Sequence, residues 1–360
     1  MQHYGGMRMH AGSQMGLHTS LVNEAPFDEN DGLLGFYGNT FLSVSGNFSP
    51  VVFDSEIAHD LGVELVTPLQ VRNNLNFIIG DFRTDRSQVD QYLALLSDAF
   101  TVGETDLSKV DGFVLATEQS RTLFPVGDAA QLRPLIFQAS GNVPVARCAY
   151  FRENPANSSL YGFLDPLLKP RTLEFIGGLE FWRLESSVPG TITVSWNVES
   201  NLGAIATELG QIELVGWNKS AGRWLPLGTS TRSGDVTEGF AVSEVFTPDD
   251  YEVITFGGLG VPEDVSDLDN FYVSPNGDGI NDFLYIEELE ESPNNQLRIY
   301  DRRGLLVFAM DNYTNEFNGV ANVEGLVIDR EAGLPEGVYF YLLRMDDLGL
   351  EYQGFLYLQR

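Results

Sequence analysis

Apolar and polar residues alternate in short runs along the last quarter of the chain. Four runs stand out, and the last of them reaches to within two residues of the C terminus: 297–299, 305–308, 338–343 and 354–358. Gly, Asp, Asn or Pro bounds each run. Short alternating runs with these residues at their ends are typical of antiparallel strands joined by tight turns. Asp301-Arg302-Arg303-Gly304 separates two runs and predicts a hairpin turn. A strand pattern that continues almost to the last residue predicts a C terminus held in a sheet.

The first 115 residues follow a different pattern, in which short apolar clusters recur at uneven spacings of roughly 8 to 14 residues. Each cluster is too short to bury an apolar face by itself, so stacking one cluster on the next is the natural solution. This favours a parallel β-helix or similar β-solenoid, with Asn23, Asn39 and Asn73 at the turns. An ordinary antiparallel sandwich with the same number of strands stays open as the alternative.

One segment of this region predicts a helix. Four apolar residues fall near helical spacing: Val89, Leu93, Leu96 and Phe100. Ser87 precedes them as an N-cap candidate. We expect this helix to pack across an edge of the solenoid.

Residues 116–258 return to strand patterns with regular turn signals, which predicts a β-sandwich. All four tryptophans lie here: Trp182, Trp196, Trp217 and Trp224. Packing in the core is the preferred interpretation of these side chains, and an exposed aromatic platform for sugar rings is the alternative.

The run Gly257-Gly258-Leu259-Gly260 and the acidic segment after it predict a linker. The sequence therefore predicts an all-β fold with three domains. Residues 1–115 form a β-solenoid-like region, residues 116–258 a β-sandwich-like domain, and residues 271–360 a small antiparallel β-sandwich, with residues 259–270 as the final linker.

Charge and composition exclude several classes of protein. The chain has 51 acidic and 21 basic side chains, for a formal net charge of −30. Such a chain repels phosphate backbones, so nucleic acid is excluded as a partner. Hydrophobic residues make up 43% of the chain, which is enough to fill cores and argues against disorder. No apolar run approaches 18 residues, so no transmembrane helix is expected.

Candidate catalytic residues are not recognisable in the sequence. The histidines all fall in the first sixth of the chain: His3, His10, His18 and His59. None forms the H-E-x-x-H pair of a metalloprotease, and none lies in the predicted sandwich, where it could activate a nucleophile. His10 and His18 could share a metal if they lay on adjacent rungs, although turn or surface positions are the preferred interpretation. Cys148 is the only cysteine, and its apolar neighbours predict a buried, inert thiol.

The segment 276–282 is the best candidate for a ligand site. Asn276, Asp278, Asn281 and Asp282 alternate around glycines, as oxygen ligands do in part of a calcium loop. Tyr285 stands where a complete loop has its twelfth-position acid. A weak calcium site and a rigid Asx-type turn therefore both remain open.

The order of motifs in the tail resembles the gliding motility-associated, type B C-terminal sorting domain of proteins exported by the Bacteroidetes type 9 secretion system. The motifs are SPNGDGIND, an IYDRRG hairpin, Phe317-Asn318-Gly319, LPEGVYFYLL and YQGFLYLQR. The chain departs from the family at two points. Phe317-Asn318-Gly319 stands for the usual Trp-Asp-Gly, and Gly337-Val338-Tyr339 for the usual Gly-Thr-Tyr. Both changes keep the apolar or turn character.

This resemblance implies export to the cell surface or beyond, in association with the outer membrane. The implied partners are the type 9 outer-membrane translocon and a small outer-membrane barrel protein that anchors the cargo. Their recognition is assigned to residues of the last two motifs: Gly337, Tyr339, Tyr341, Gly354, Phe355, Tyr357 and Arg360. Export needs a leader, and MQHYGGMRMH lacks its apolar region, so we expect a mature chain that starts near Gln2.

The first 260 residues would then be the cargo. We expect a non-enzymatic adhesin or an adaptor in gliding or attachment machinery, and the absence of a repeat of fixed period favours the adaptor. The alternative is a surface protein that binds or degrades polysaccharide, because β-helices often host lyases. Fold alone does not assign chemistry, so a long concave groove would be the feature that supports the alternative.

Overall fold

The computed structural model describes residues 1–170, 172–260, 270–286, 289, 292–323, 333–347 and 350–360. The structure is 48% strand and 4% helical, so the predicted all-β fold class is confirmed. The chain divides into two units, Met1–Leu259 and Gly260–Arg360. Among the described residues, no helix is long and apolar enough to cross a membrane.

The first unit begins with a parallel β-solenoid. Its strands are β1 (Gln2–His3), β2 (Gln14–Leu17), β3 (Leu21–Asn23), β4 (Leu33–Gly38), β5 (Ser43–Ser45), β6 (Val51–His59), β7 (Val63–Leu65), β8 (Leu69–Ile79), β9 (Phe82–Arg83), β10 (Leu93–Leu96), β11 (Phe100–Val102), β12 (Val110–Asp111) and β13 (Val114–Thr117). One sheet has the order β1-β3-β5-β7-β9-β12. The other begins β2-β4-β6-β8-β10-β13, and β11 also pairs with β8.

Each turn of the solenoid contributes one strand to each sheet. Gln14 lies beside Leu33, and Leu33 beside Asp54, so equivalent positions are about 20 residues apart. Because each turn contributes two strands, successive apolar clusters in the sequence are separated by about half of one turn. The predicted solenoid is confirmed, with about six turns.

Two of the three predicted asparagine positions lie at the ends of strands. Buried Asn23 ends β3, accepts a hydrogen bond from His3 Nδ1 at 2.5 Å and donates to the Phe48 carbonyl at 2.9 Å. Asn39 directly follows β4. The turn prediction for Asn73 is wrong, because this residue lies in a bulge of β8, where its Nδ2 donates to Asp54 Oδ1 at 2.7 Å.

The helix predicted over residues 87–100 is wrong. Leu93 belongs to β10, which pairs in parallel with both β8 and β13. The segment forms a strand because it lies between β8 and β13, and only an extended backbone can hydrogen-bond to both neighbours at once. The apolar residues at helical spacing share no face, since Leu93 is buried while Val89 and Phe100 are 67% and 52% exposed.

The second half of the first unit is antiparallel. Its strands are β14 (Arg121–Phe124), β15 (Leu135–Ala139), β16 (Val145–Phe151), β17 (Asn157–Ser158), β18 (Gly162–Phe163), β19 (Leu173–Ile176), β20 (Phe181–Glu185), β21 (Gly190–Trp196), β22 (Ile212–Asn218), β23 (Arg223–Pro226), β24 (Thr229–Gly234), β25 (Gly239–Ser243) and β26 (Tyr251–Leu259). Short 3₁₀ turns lie at Val198–Ser200, Leu202–Ala204, Leu209–Gln211 and Pro248–Asp250.

One sheet runs through both halves of this unit. β13 pairs antiparallel with β16, and the sheet continues in the order β16-β20-β26-β22-β23. A second sheet, β14-β15-β21-β25-β24, shares the same hydrophobic core. Trp182, Trp196 and Trp224 are buried in this half, as the core interpretation predicted. Cys148 is also buried, and burial raises the pKa of its thiol, as expected for an inert cysteine.

A buried polar network sits where the solenoid meets the antiparallel strands. Arg133 Nε lies 3.0 Å from Glu180 Oε2, and the two side chains are only 3% and 4% exposed. Tyr150 donates its hydroxyl to the same carboxylate oxygen at 2.7 Å, and Trp182 Nε1 donates to the Arg133 carbonyl at 3.0 Å. These four residues, Arg133, Tyr150, Glu180 and Trp182, are here called the Arg133 network. The network connects the segments that carry them around one buried carboxylate, that of Glu180.

Two glycines assigned to the predicted linker belong to the sheet instead. Gly257 and Gly258 lie in β26, paired with Glu213 and Ile212 of β22. A Cβ on Gly258 would lie 1.8 Å from the Ile205 carbonyl oxygen, so the glycine permits close packing of backbone. Residues 261–269 of the predicted linker lie outside the described residues.

The described residues of the second unit form a five-stranded sheet of order β27-β31-β30-β28-β29. The strands are β27 (Phe271–Val273), β28 (Asn295–Tyr300), β29 (Leu306–Asp311), β30 (Gly337–Met345) and β31 (Leu350–Leu358). The unit has a hydrophobic core of its own, which includes Phe317 and Leu334 from the loops. The four predicted strands and the C terminus held in a sheet are confirmed.

The Arg133 network makes a testable stability prediction. Arg133→Met leaves Glu180 buried without its cation, so we expect the free energy of unfolding of the first unit to fall by about 3–5 kcal/mol. Tryptophan fluorescence during chemical denaturation measures this unit, because all four tryptophans lie in it.

The control is Arg152→Met. Arg152 lies 2.7 Å from Glu199, but these side chains are 42% and 54% exposed, so the loss should stay below about 1 kcal/mol. Equal losses in the two variants would contradict a special role for the buried pair.

Candidate recognition surface

The two longest strands of the second unit divide their side chains strictly between two faces. Along β30, Tyr339, Tyr341 and Leu343 are buried, and along β31, Leu356 and Leu358 are buried. The residues between them point to the opposite face of the sheet, as strand geometry requires. The seven predicted recognition residues therefore differ in position and fall into three groups.

Three of those residues form the interior. Tyr339 is buried and donates its hydroxyl to the Pro335 carbonyl at 2.7 Å. Tyr341 is buried opposite Gly354, where a Cβ would lie 2.7 Å from the Tyr341 Oη. The glycine thus makes room for the ring, which also packs edge-on against Phe271 at 5.5 Å. These side chains hold the fold together, so a partner that binds the folded unit cannot contact the two tyrosines.

Two more of the predicted residues fix the ends of strands. Gly337 opens β30 with a φ of 151°, a backbone conformation that other residues rarely adopt. Arg360 Nη2 donates to the Gly319 carbonyl at 2.9 Å. Its guanidinium also fills the space beside Gly333, where a Cβ would lie 1.6 Å from Nη2. The last residue is therefore fastened to the loops below the sheet.

Phe355 and Tyr357, the remaining two, lie on the outer face and are exposed. Sequence reasoning missed their neighbours on that face, Tyr272, Val338 and Phe340, which are exposed too. In register, Tyr357 lies between Tyr272 and Val338, and Phe355 lies beside Phe340. For Val338 and Phe340 the signal was already in the alternation of the LPEGVYFYLL motif, because they alternate with Tyr339 and Tyr341.

These five residues form a continuous apolar patch across three strands, here called the aromatic face. The rings of Tyr272 and Tyr357 stack at 6.2 Å between centroids with an angle of 13°. Tyr357 donates its hydroxyl to Glu336 at 2.8 Å, and this hydrogen bond raises the pKa of the phenol. Contiguous exposed apolar patches on soluble domains mark interaction sites.

The last strand itself is not an edge of the sheet. β31 pairs antiparallel with β30 along its length and in parallel with β27 at residues 356–358. Addition of a partner strand to the end of β31 is therefore blocked, and β27 and β29 are the edges. The aromatic face is the accessible apolar surface that these last motifs present to a partner.

The predicted hairpin turn at residues 301–304 is confirmed. The amide of Gly304 donates to the Asp301 carbonyl at 2.9 Å, and Gly304 has a φ of 80°. Asp301 Oδ1 accepts from the amides of Leu305 and Arg303, each at 2.8 Å. The hydrogen bond from Leu305 is the main reason why the pKa of this carboxyl lies below its ordinary value.

The loop 276–282 uses its side-chain oxygens internally. Asp282 accepts from the amides of Gly277 and Gly279 at 2.7 and 2.8 Å. Asp278 accepts from the amide of Ile280 at 2.8 Å, which lowers the pKa of its carboxyl, and from Asn276 Nδ2 at 2.9 Å. Asn281 takes a left-handed conformation with a φ of 57°. A calcium ion would have to compete with these donors for the same oxygens.

The histidine pair considered as a metal site is wrong. His18 directly follows β2, and His10 precedes that strand in the same turn, so the two do not lie on adjacent rungs. His18 packs against Tyr37, with 5.7 Å between ring centroids. Over the described residues, no three His, Cys, Asp or Glu side chains come together to hold a metal.

Comparison with known proteins identifies the second unit. Residues 266–358 match the CHU_C type IX secretion signal domain. The chain therefore carries a C-terminal type IX secretion signal, and proteins with this signal are exported to the cell surface or outside. No curated protein and no solved structure matches the chain significantly.

The Asp301 turn predicts acid sensitivity. The folded pKa lies below the unfolded value of about 3.9, so the charge contributes stability above about pH 5. This contribution disappears as the pH falls through the folded pKa. We expect the difference in melting temperature between wild type and Asp301→Asn, measured on residues 260–360, to shrink on acidification.

Asp311→Asn is the control, because Asp311 is exposed and its ion pair with Arg298 is long, at 4.0 Å. A difference for Asp301→Asn that grows at low pH would contradict the prediction.

The two interpretations of the loop 276–282 are separated by hydrogen exchange. Asp282→Ala removes the acceptor of two amides, so we expect faster exchange at residues 277–279, corresponding to about 1 kcal/mol of lost protection. This effect should not depend on calcium. Additional protection of the wild-type loop in millimolar calcium, absent from Asp282→Ala, would instead establish a cation site.

Proposed function

We propose that this protein is a non-enzymatic cargo of the type IX system that is displayed at the cell surface, in association with the outer membrane. There it acts as an adhesin or as an adaptor in gliding or attachment machinery. Export follows from the secretion signal at residues 266–358. The role of the cargo rests on the first unit.

The aromatic face is the single observation that carries the partner assignment. It joins Phe355 and Tyr357 of the last motif to Tyr272, Val338 and Phe340 on one accessible surface. The proposed occupants are the outer-membrane translocon during export and a small outer-membrane barrel protein afterwards. Exposed aromatic residues suit such contacts because they bury a large area at a low entropic cost.

The ionisable groups of the first unit support a non-enzymatic role. Burial raises the pKa of Asp81, but Lys109 Nζ opposes this from 3.1 Å. Burial also raises the pKa of Glu213, whose carboxylate lies 2.7 Å from Arg232. Catalytic groups with shifted pKa values face an open cleft, whereas these carboxylates are occupied by structural ion pairs.

Polysaccharide binding is the second candidate for the first unit. The solenoid has a concave groove on its outer surface, lined by Gln14, Asp54, Glu56, Asn74 and Asn76 among others. Its side chains are hydrogen-bonding groups, which suit adhesion to a hydroxyl-rich ligand. The groove is compatible with an adhesin.

A reporter fusion tests the export assignment. Residues 261–360 have their own core, so we expect them to send a signal-bearing reporter to the surface of a host with this secretion system. Deletion of residues 354–360 removes most of β31 and leaves backbone groups of β27 and β30 unpaired. The truncated protein should stay in the periplasm or be degraded. A reporter that stays inside while the truncated protein is displayed would contradict the assignment.

The aromatic face is tested in the intact chain. Phe340→Ala with Phe355→Ala should reduce surface display at least about tenfold if each ring contributes roughly 1 kcal/mol to binding. Phe283→Ala is the matched control, because Phe283 is 50% exposed in the same unit but lies outside the sheet. Equal display of all variants, with unchanged melting temperatures, would show that the partner binds elsewhere.

A further inference from the structure

A groove of about 280 Å³ lies on the outward face of the parallel sheet formed by β2, β4, β6 and β8. Its floor is a row of side chains in register: Gln14 beside Leu33, Leu33 beside Asp54, and Asp54 beside Asn74. Strand pairing fixes the distance between successive members at about 4.8 Å. The groove therefore crosses several turns of the solenoid as a straight, evenly spaced track.

A second row runs beside the first and contains two glycines. It consists of Gly16, Gly35, Glu56 and Asn76. Tyr37 folds back over the two glycines, since a Cβ on Gly35 would lie 2.2 Å from the Tyr37 hydroxyl oxygen. The Tyr37 hydroxyl donates to Glu56 Oε1, and burial together with this hydrogen bond raises the pKa of Tyr37 to about 12. Glu56 is thereby held in one orientation at the groove.

Two asparagine side chains that line the groove have hydrogen-bonding groups that are not fully used within the chain. Asn74 Oδ1 is buried and has no hydrogen-bond partner among the described residues. Buried polar atoms are normally paired, so this acceptor marks an incompletely satisfied amide beneath the groove surface, while the Asn74 side chain as a whole lines the groove. Asn76 Nδ2 reaches Glu56 Oε2 only at 3.5 Å, which leaves it able to donate to a ligand.

Apolar surface continues the same two rows. Phe100 lies directly beside Asn74, and Val102 beside Asn76, where β11 pairs with β8. Phe100 is 52% exposed, so its ring is accessible next to the polar track. A sugar ring has hydroxyls at its edge and C–H groups on its faces. Amide and carboxylate side chains followed by an exposed aromatic ring match both parts of such a ligand.

The charges of the groove restrict the kind of glycan. Its charged lining residues are Asp31, Asp54 and Glu56, all acidic. Arg72 and Arg8 pair with Asp31 at 3.2 and 3.9 Å and do not line the groove. An anionic polysaccharide would be repelled by these carboxylates. A bare cation is less well matched, because Asp54 and Glu56 already accept hydrogen bonds from Asn73 and Tyr37.

We propose that this groove is a binding site for a neutral polysaccharide, with Asn74, Asp54 and Glu56 bonding the hydroxyls and Phe100 stacking on a sugar ring. The proposal rests on the adhesin role of the first unit and names its ligand class. The rows run across the strands, so the polysaccharide chain lies along the stacking axis of the solenoid.

The test uses the full chain and native affinity electrophoresis in gels that contain one soluble polysaccharide each. Neutral glucan, xylan and mannan are compared with the anionic alginate and polygalacturonate, with millimolar calcium or with a chelator. We expect retardation by at least one neutral polysaccharide, independent of calcium. Asn74→Ala and Phe100→Ala should each weaken it about tenfold, equivalent to about 1.4 kcal/mol.

The control variants are Phe41→Ala and Asn39→Ala. Phe41 is 63% exposed, and both residues lie on the solenoid outside the groove, so neither change should affect retardation. Unchanged melting temperatures would show that the variants are folded.

The proposal would be overturned by retardation by anionic polysaccharides alone, by retardation that requires calcium, or by equal retardation of all variants. Absence of retardation in every gel would overturn it as well. The adhesin role is judged separately, by surface attachment of a strain that lacks the protein. Normal attachment of that strain would contradict the proposed function whatever the gels show.

Discussion

The open end of the parallel sheet is the constraint on which the first unit depends. A solenoid turn buries its apolar cluster and satisfies its backbone only if another turn lies on each side of it. At β13 the parallel turns stop, and β16 takes the place of the next strand by pairing in the opposite direction. The Arg133 network lies at this junction and holds Glu180 against Tyr150 of β16. The antiparallel half can thus be understood as the cover of the solenoid.

The two units use the same device to place aromatic rings on sheets. Gly354 opens a space in the second unit for the ring of Tyr341, and Gly35 does so in the first for Tyr37. The consequence differs between the two faces. The ring of Tyr341 completes a core, whereas Tyr37 flattens the outer surface and positions a carboxylate there. A glycine within a strand can therefore make room for a ring either in the core or on the outer surface. Which of the two occurs depends on the face of the sheet to which that position belongs.

Most of the fold could be predicted from periodicity, since the strands of the second unit and the solenoid follow from apolar spacing. The helix over residues 87–100 could not be excluded, because Leu93 and Leu96 fit helical spacing until the strands on both sides are known. Gly257 and Gly258 read as a linker because close packing of backbone leaves no trace in local sequence. The groove could not be predicted, because it depends on register between residues about 20 positions apart.

Because the solenoid consists of similar stacked turns, its length can change by the insertion or loss of whole turns. Each turn bonds to the turn before and the turn after, and the last is fixed to β16. A whole turn inserted between β4 and β6 would meet the same kinds of neighbours and would lengthen the stack by about 4.8 Å. Such a change would leave the secretion signal and the antiparallel half untouched. The length of the solenoid can thus change in discrete steps of one turn, while the secretion signal stays the same.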